Sequence, residues 1–175
     1  MKVFYTDGAC KGNPGPGGFG VVCMKERLDH IEVIYRYSEL CDNTTNNREE
    51  MKAILHVFKL IYEEFESKPN IEPVLIYSDS AYCVNMINDW IWKWANNNWK
   101  NSKKQTVENL DLVLELYKYL TIDFFPCQVM KVKGHCGVAP NELADALATN
   151  DKIKYARILK HSYITDPNFD FFKKL

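Results

Sequence analysis

The sequence predicts an α/β fold, a five-stranded mixed sheet flanked by helices, with three antiparallel strands followed by two parallel ones. Three observations carry this. Apolar residues alternate through three short, closely spaced segments near the start, as in an antiparallel meander. Two long stretches, 44–64 and 106–120, repeat apolar residues every three to four positions, as in amphipathic helices. Short apolar runs at 73–77 and 126–132 each follow a helical stretch, the order expected of crossover connections to parallel strands.

In order along the chain, residues 2–6 read as a strand that ends at Asp7. GACKGNPGPGGFG reads as a Gly/Pro loop. Val21, Val22 and Met24 mark a second strand, and Ile31, Val33 and Tyr35 a third, with the charged residues from Lys25 to His30 between them. Met51, Ile54, Leu55, Phe58 and Ile61 form the apolar stripe of the first helix, which polar Asn43, Thr44 and Thr45 introduce as caps do. The 73–77 strand delivers Asp79 just past its C-terminal end. Residues 81–99 are expected to be helical in one or two pieces. Val107, Leu110, Val113, Leu114 and Tyr117 give the 106–120 stretch its amphipathic helical pattern. A last strand covers 126–132 and a last helix 141–148. Residues 1–150 are expected to form the domain. The remaining 151–175 form an extension that packs back on it or stays partly flexible, with one further helical turn near Tyr155–Leu159.

A 46% hydrophobic content suffices for one continuous core, and a net charge of −1 excludes a global basic field, so any nucleic-acid partner must be met by a local patch. The six cysteines show no CxxC pair or ligand-like spacing, which argues against structural zinc and against a disulfide framework. No apolar run of 18 residues occurs and the N-terminal apolar stretch is too short for a signal peptide, so no membrane partner and an intracellular, cytoplasmic location are expected.

Four acids stand out. Asp7 and Asp79 end strands, Glu50 or its neighbour Glu49 lies one turn into the first helix, and Asp145 sits among Leu143, Ala144, Ala146 and Leu147 in the last. Open α/β sheets place ligand sites at the C-terminal ends of their strands. Carboxylates that converge there repel one another unless a hard, oxygen-preferring cation lies between them. Helical phase alone does not choose between Glu49 and Glu50.

Four local signatures surround these acids: Asp7-Gly8-Ala9-Cys10 with Gly12, Asn13, Pro14 and Gly15; Thr45-Asn46-Asn47-Arg48 ahead of Glu50; Tyr77-Ser78-Asp79-Ser80; and Gly134-His135-Cys136-Gly137 leading to Asn141-Glu142-Leu143-Ala144-Asp145. In order and content they resemble the type 1 ribonucleases H, over residues 2 to about 148. The resemblance selects Glu50 over Glu49. It implies the ribonuclease H-like fold and an endonuclease that cuts the RNA strand of an RNA–DNA hybrid, leaving 5′-phosphate and 3′-hydroxyl ends. It also implies two Mg²⁺ ions held by Asp7, Glu50, Asp79 and Asp145, with Mn²⁺ able to substitute. Asp7 would bridge the two ions, and His135 would assist proton movement and product release.

The same resemblance places Cys10, Asn13 and Asn47 along the RNA strand. Asn43, Thr45 and Asn109 fall at a DNA phosphate pocket, and Tyr82, Trp90 and Ser102 at a DNA channel. Between Trp90 and Lys104, four tryptophans interleave with Lys93, Lys100, Lys103 and Lys104. Aromatics with cations suit a nucleic-acid backbone, and the family carries a basic helical protrusion here. A monomer is expected. Two other readings, a hybrid-binding module without catalysis and a junction resolvase or integrase, fit less well: the first has no use for the full acidic set, and the second lacks the Thr-Asn-Asn-Arg and Gly-His-Cys-Gly contexts together.

Overall fold

The computed structural model describes residues 1–132 and 138–171. Within them a six-stranded sheet is ordered β5-β4-β1-β2-β3-β6. Strands β1 (Lys2–Cys10), β2 (Gly15–Glu26) and β3 (Ile31–Thr44) form an antiparallel meander. Strands β4 (Val74–Ser78) and β5 (Cys127–Lys131) add to it in parallel on the β1 side. The expected five strands are all present. The sixth, β6 (Ile164–Thr165), comes from the C-terminal extension and pairs in parallel with Ile31 and Glu32 at the other edge.

Period-two alternation explains how one sheet serves two cores. On β2, Val21 and Cys23 enter a large cluster with Met51, Ile54, Phe58, Val113 and Leu116, while Val22 and Met24 enter a second with Leu143, Leu147, Tyr155 and Ile164. Helices α1 (Asn46–Ser67) and α4 (Leu110–Leu120) supply the first face, and α5 (Ala139–Ala148) and α6 (Lys152–Lys160) the second. No described helix is long and apolar enough to cross a membrane.

Three segments depart from the sequence pattern. The Gly/Pro stretch is mostly strand: β1 runs on to Cys10 and β2 begins at Gly15, which leaves only residues 11–14 as the turn. Residues 81–99 are helical only to Ala95, as α2 (Ala81–Asn85), a π-helical turn over Met86–Trp90, and α3 (Ile91–Ala95). Asn96 to Asn109 form an irregular excursion closed by a Lys100–Thr106 bridge, so the basic protrusion is a short helix followed by a loop. Helix α4 starts at Leu110 rather than Thr106, because Asn109 takes a left-handed φ of 56° that no helical residue can share.

The described part of the extension packs against the domain. Tyr155 is fully buried and its hydroxyl donates to Asp166, 2.7 Å away; Asp166 also accepts from Arg36 of β3 at 2.5 Å. Phe169 packs on the Tyr155 ring with centroids 5.0 Å apart. A buried aromatic with its polar tip satisfied holds α6 and β6 against the meander.

Candidate active site

Parallel strands β1 and β4 lie side by side with Thr6 opposite Ser78, so the residues that follow, Asp7 and Asp79, emerge next to each other. Ser78 and Ser80 shape the chain around Asp79. The Ser80 amide donates to the Ser78 hydroxyl at 3.1 Å, and the Ser80 hydroxyl caps α2 by accepting from the Cys83 amide at 3.2 Å. Asp79 is thereby left free of capping duty.

Glu50 arrives from α1, whose start is set by Thr45: its hydroxyl accepts from the Arg48 amide at 3.3 Å. The helix comes very close to β1. A side chain at position 8 would place its first carbon 2.4 Å from the Glu50 nitrogen, so glycine at 8 is the condition for Glu50 to reach Asp7. The Gly8 amide in turn donates to Asp7 Oδ1 at 3.0 Å.

Carboxylate oxygens of Asp7, Glu50 and Asp79 all lie within 4.8 Å of one another, with Asp7 and Glu50 buried. Burial and then the Glu50, Asp79 and Asp145 carboxylates drive the Asp7 carboxyl far above the usual range. Burial and then Asp79 do the same to Glu50, partly offset by hydrogen bonds from Asp7 and the Gly8 backbone. One Glu50 oxygen, Oε2, is buried without a hydrogen-bond partner. Repelling, desolvated carboxylates with an orphaned oxygen are what a hard divalent cation relieves, and an all-oxygen donor set is what it prefers. The residues therefore fit a divalent metal.

Glu49, the residue before Glu50 on α1, is fully buried and has other partners. Its Oε1 accepts from the Thr44 hydroxyl and from Lys52, each at 2.8 Å. Asp145 sits on α5, outside the three-acid cluster, and its carboxylate adds to the forces that raise the Asp7 carboxyl. Its Oδ2 pairs with Lys154 of α6, and Glu142 Oε2 lies 3.1 Å from the same ammonium. His135 falls outside the described residues.

Of the residues assigned by resemblance to the two strands, Asn13, Thr45, Asn47 and Asn109 line one cleft of about 320 Å³ together with Asn46 and Glu108. Asn13 Oδ1 accepts from the Asn46 amide at 2.9 Å, tying the β1–β2 turn to the start of α1. Asn109 Oδ1 accepts from Arg48, which also grips Asp111 through two bonds of 3.0 and 2.8 Å. Asn43 instead lines a separate cleft with Arg48, Lys52 and His56. Cys10 ends β1, its thiol donating to the Thr44 carbonyl at 3.2 Å. Tyr82 meets Trp90 edge-on at 5.5 Å, and Ser102 is exposed beside Lys100, Lys103 and Lys104. Lys93 is exposed as well and pairs with Asp89 at 3.2 Å.

Sequence reasoning missed two neighbours of the acids. Asn141 is buried, its amide nitrogen 3.5 Å from Asp79 Oδ2 and its own oxygen without a partner. Its position four residues before Asp145 puts both on one face of α5, which helical phase alone would have revealed. Lys154 has no such signal, since it reaches Asp145 from the next helix.

The chain matches the RNase H family over residues 1–153. It is 42% identical over 147 residues to a ribonuclease H of Caldicellulosiruptor saccharolyticus, covering 83% of this chain and 92% of that one. It is 40% identical over 166 residues to a ribonuclease H of Orientia tsutsugamushi, covering 95% and 90%. Among solved structures it resembles a type 1 RNase H that carries the type 2 active-site motif, with 29% identity, a TM-score of 0.68, and coverage of 85% of this chain and 70% of that one. With its acids gathered at the β1–β4 junction and these matches spanning most of its length, the chain belongs to the RNase H family of endoribonucleases, in its type 1 branch.

Proposed function

We propose that this endoribonuclease hydrolyses the RNA strand of RNA–DNA hybrids with two magnesium ions, which manganese can replace, and leaves 5′-phosphate and 3′-hydroxyl ends. The observation that carries the reading is the convergence of buried Asp7 and Glu50 with half-buried Asp79, their carboxylate oxygens within 4.8 Å of one another. Bound there, the metals supply a polarised water and offset the negative charge that builds on the scissile phosphate.

The protein's own groups have distinct tasks. Asp7 would be shared between the two metals; Glu50 and Asp79 would hold one of them with it, and Asp145 the other. Asn141 steadies Asp79 through its amide. His135 accepts or returns a proton on the way to product release. The Asn13–Asn47 side of the cleft, with Cys10, holds the RNA strand. Thr45 and Asn109 receive a DNA phosphate, with Asn43 contributing from the adjoining cleft. Tyr82, Trp90 and Ser102 carry the DNA strand onward toward Lys93, Lys100, Lys103 and Lys104. Residues 1–150 contain every one of these groups.

The test offers the full chain labelled RNA–DNA hybrid, double-stranded RNA, double-stranded DNA and single strands, with and without magnesium. Cleavage of the hybrid alone, in its RNA strand and only with metal, is expected. Asp7→Asn and Asp79→Asn should bind hybrid and fail to cut it. Near wild-type cutting by either variant refutes the metal site.

A further inference from the structure

Among the described residues, one ion pair is made by any of the four acids, and it joins Asp145 to Lys154. The lysine is held in place. Its backbone amide donates to the Asp151 side chain that caps α6, at 2.9 Å. The next residue is Tyr155, buried and anchored through Asp166 to Arg36. The turn into α6 is closed by Asn150, at a left-handed φ of 53°, and by a 2.8 Å bond from the Asp151 amide to the Ala146 carbonyl. Lys154 is thus aimed at the acid by a docked helix. Its side chain is only 29% exposed, and Glu142 is its second partner. The other lysine at this end of α6, Lys152, points to the Phe171 carbonyl instead.

The geometry is asymmetric. Among the described residues, three acids face one another without a basic side chain paired to them, while the fourth gives one oxygen to an ammonium and stays outside the group. We propose that Lys154 is a built-in competitor for the second metal: it holds Asp145 while the site carries no metal, and must yield that oxygen before Asp145 can become a ligand. The inference rests on Asp145 being a metal ligand. Its consequence is that the two ions load unequally, the first into the Asp7–Glu50–Asp79 group and the second only by displacing a lysine.

The experiment titrates the metal-free full chain with Mn²⁺ by calorimetry, and in parallel measures hybrid cleavage against Mg²⁺ concentration. Wild type, Lys154→Met, Lys154→Gln, Lys154→Arg and Asp145→Asn are compared. Removing the charge should tighten the weaker binding event about twofold to fivefold, the scale of a partly exposed ion pair, and leave the tighter event unchanged. The Met and Gln variants should both reach half-maximal cleavage at lower Mg²⁺, and the Arg variant should track wild type. Weaker binding that is unchanged or poorer in both neutral variants overturns the proposal. Asp145→Asn separates the two ideas. If it abolishes the weaker event while the neutral Lys154 variants change nothing, only the competitor role falls. If it leaves both events intact, Asp145 is no ligand and the site assignment falls with it.

Discussion

Gly20 of β2 lies directly beneath Ala144 of α5: a first side-chain carbon on Gly20 would stand 2.3 Å from the Ala144 carbonyl oxygen and 2.5 Å from Leu147. The helix that carries Asn141 and Asp145 rests on bare backbone. Both contacts are to groups that cannot swing aside, so the helix itself would have to lift. Gly20→Ala should cost roughly 2–3 kcal/mol or more, the scale of overpacking a tight interior. It should also weaken the metal event that depends on Asp145. Denaturant unfolding and metal titration of the same sample check this; unchanged values for both would show that α5 has slack.

The raised carboxyls of Asp7 and Glu50 make a prediction with a definite sign. Unfolded, these groups release their protons near about pH 4. Folded and metal-free, they hold them to much higher pH, because burial and their acidic neighbours oppose ionisation. The folded state then binds more protons than the unfolded one, so stability must fall as pH rises above the unfolded range. In a chelator, the melting temperature should decline from pH 5 toward pH 9. Asp7→Asn should flatten that decline and melt higher than wild type at the alkaline end, and Mg²⁺ should raise wild type more than the variant. A variant that melts lower throughout would contradict the repulsion described here.

Glu49 and Glu50, adjacent in the chain, should respond oppositely to truncation. Glu49 is buried with Lys52 and Thr44 as partners, and removing it strands a largely buried ammonium. Glu49→Ala should lose about 3 kcal/mol of stability, within the range for breaking a buried pair, and keep cutting while folded. Glu50→Ala should fold at least as well as wild type without metal and lose cleavage. Thermal melts beside hybrid cleavage at low temperature distinguish them, and a well-folded, inactive Glu49 variant would reverse the assignment.

The exposed lysines of the Asn96–Asn109 excursion should act on affinity rather than on chemistry. Replacing Lys100, Lys103 and Lys104 by alanine should weaken hybrid binding. It should also make the log–log salt dependence shallower, by about one unit for each phosphate that the lysines neutralise. The single-turnover rate at saturating hybrid should stay close to wild type. A binding series at several salt concentrations decides; an unaltered slope removes these lysines from the interface.

Much of this was readable in the chain, for identifiable reasons. The stripe from Met51 to Ile61 is helical because its period matches the helix and its face meets β1, so local pattern and tertiary need agree. The acids at strand ends were visible for the same reason. The glycine run misled, since glycine usually breaks strands, whereas here α5 requires bare backbone at Gly20. The start of α4 hid behind Asn109, whose left-handed conformation serves its bond to Arg48. Glu49 and Glu50 were inseparable by phase, and only their partners part them. Strand β6, two residues long, leaves no periodic trace, and its partner Ile31 lies far back in the sequence. Lys154 meets Asp145 only because the chain reverses at Asn150.

The pairing of β6 with Ile31 and Glu32 has one more consequence. The last strand of a sheet offers unpaired amides and carbonyls to any other chain that can lie alongside. Here the chain's own tail lies against the start of β3, and Arg36 is clamped to Asp166 and to the Asn168 carbonyl a little further along. Cutting the chain after Asn150 would bare that border, and the shortened protein would be prone to self-association through it, whatever became of its catalysis.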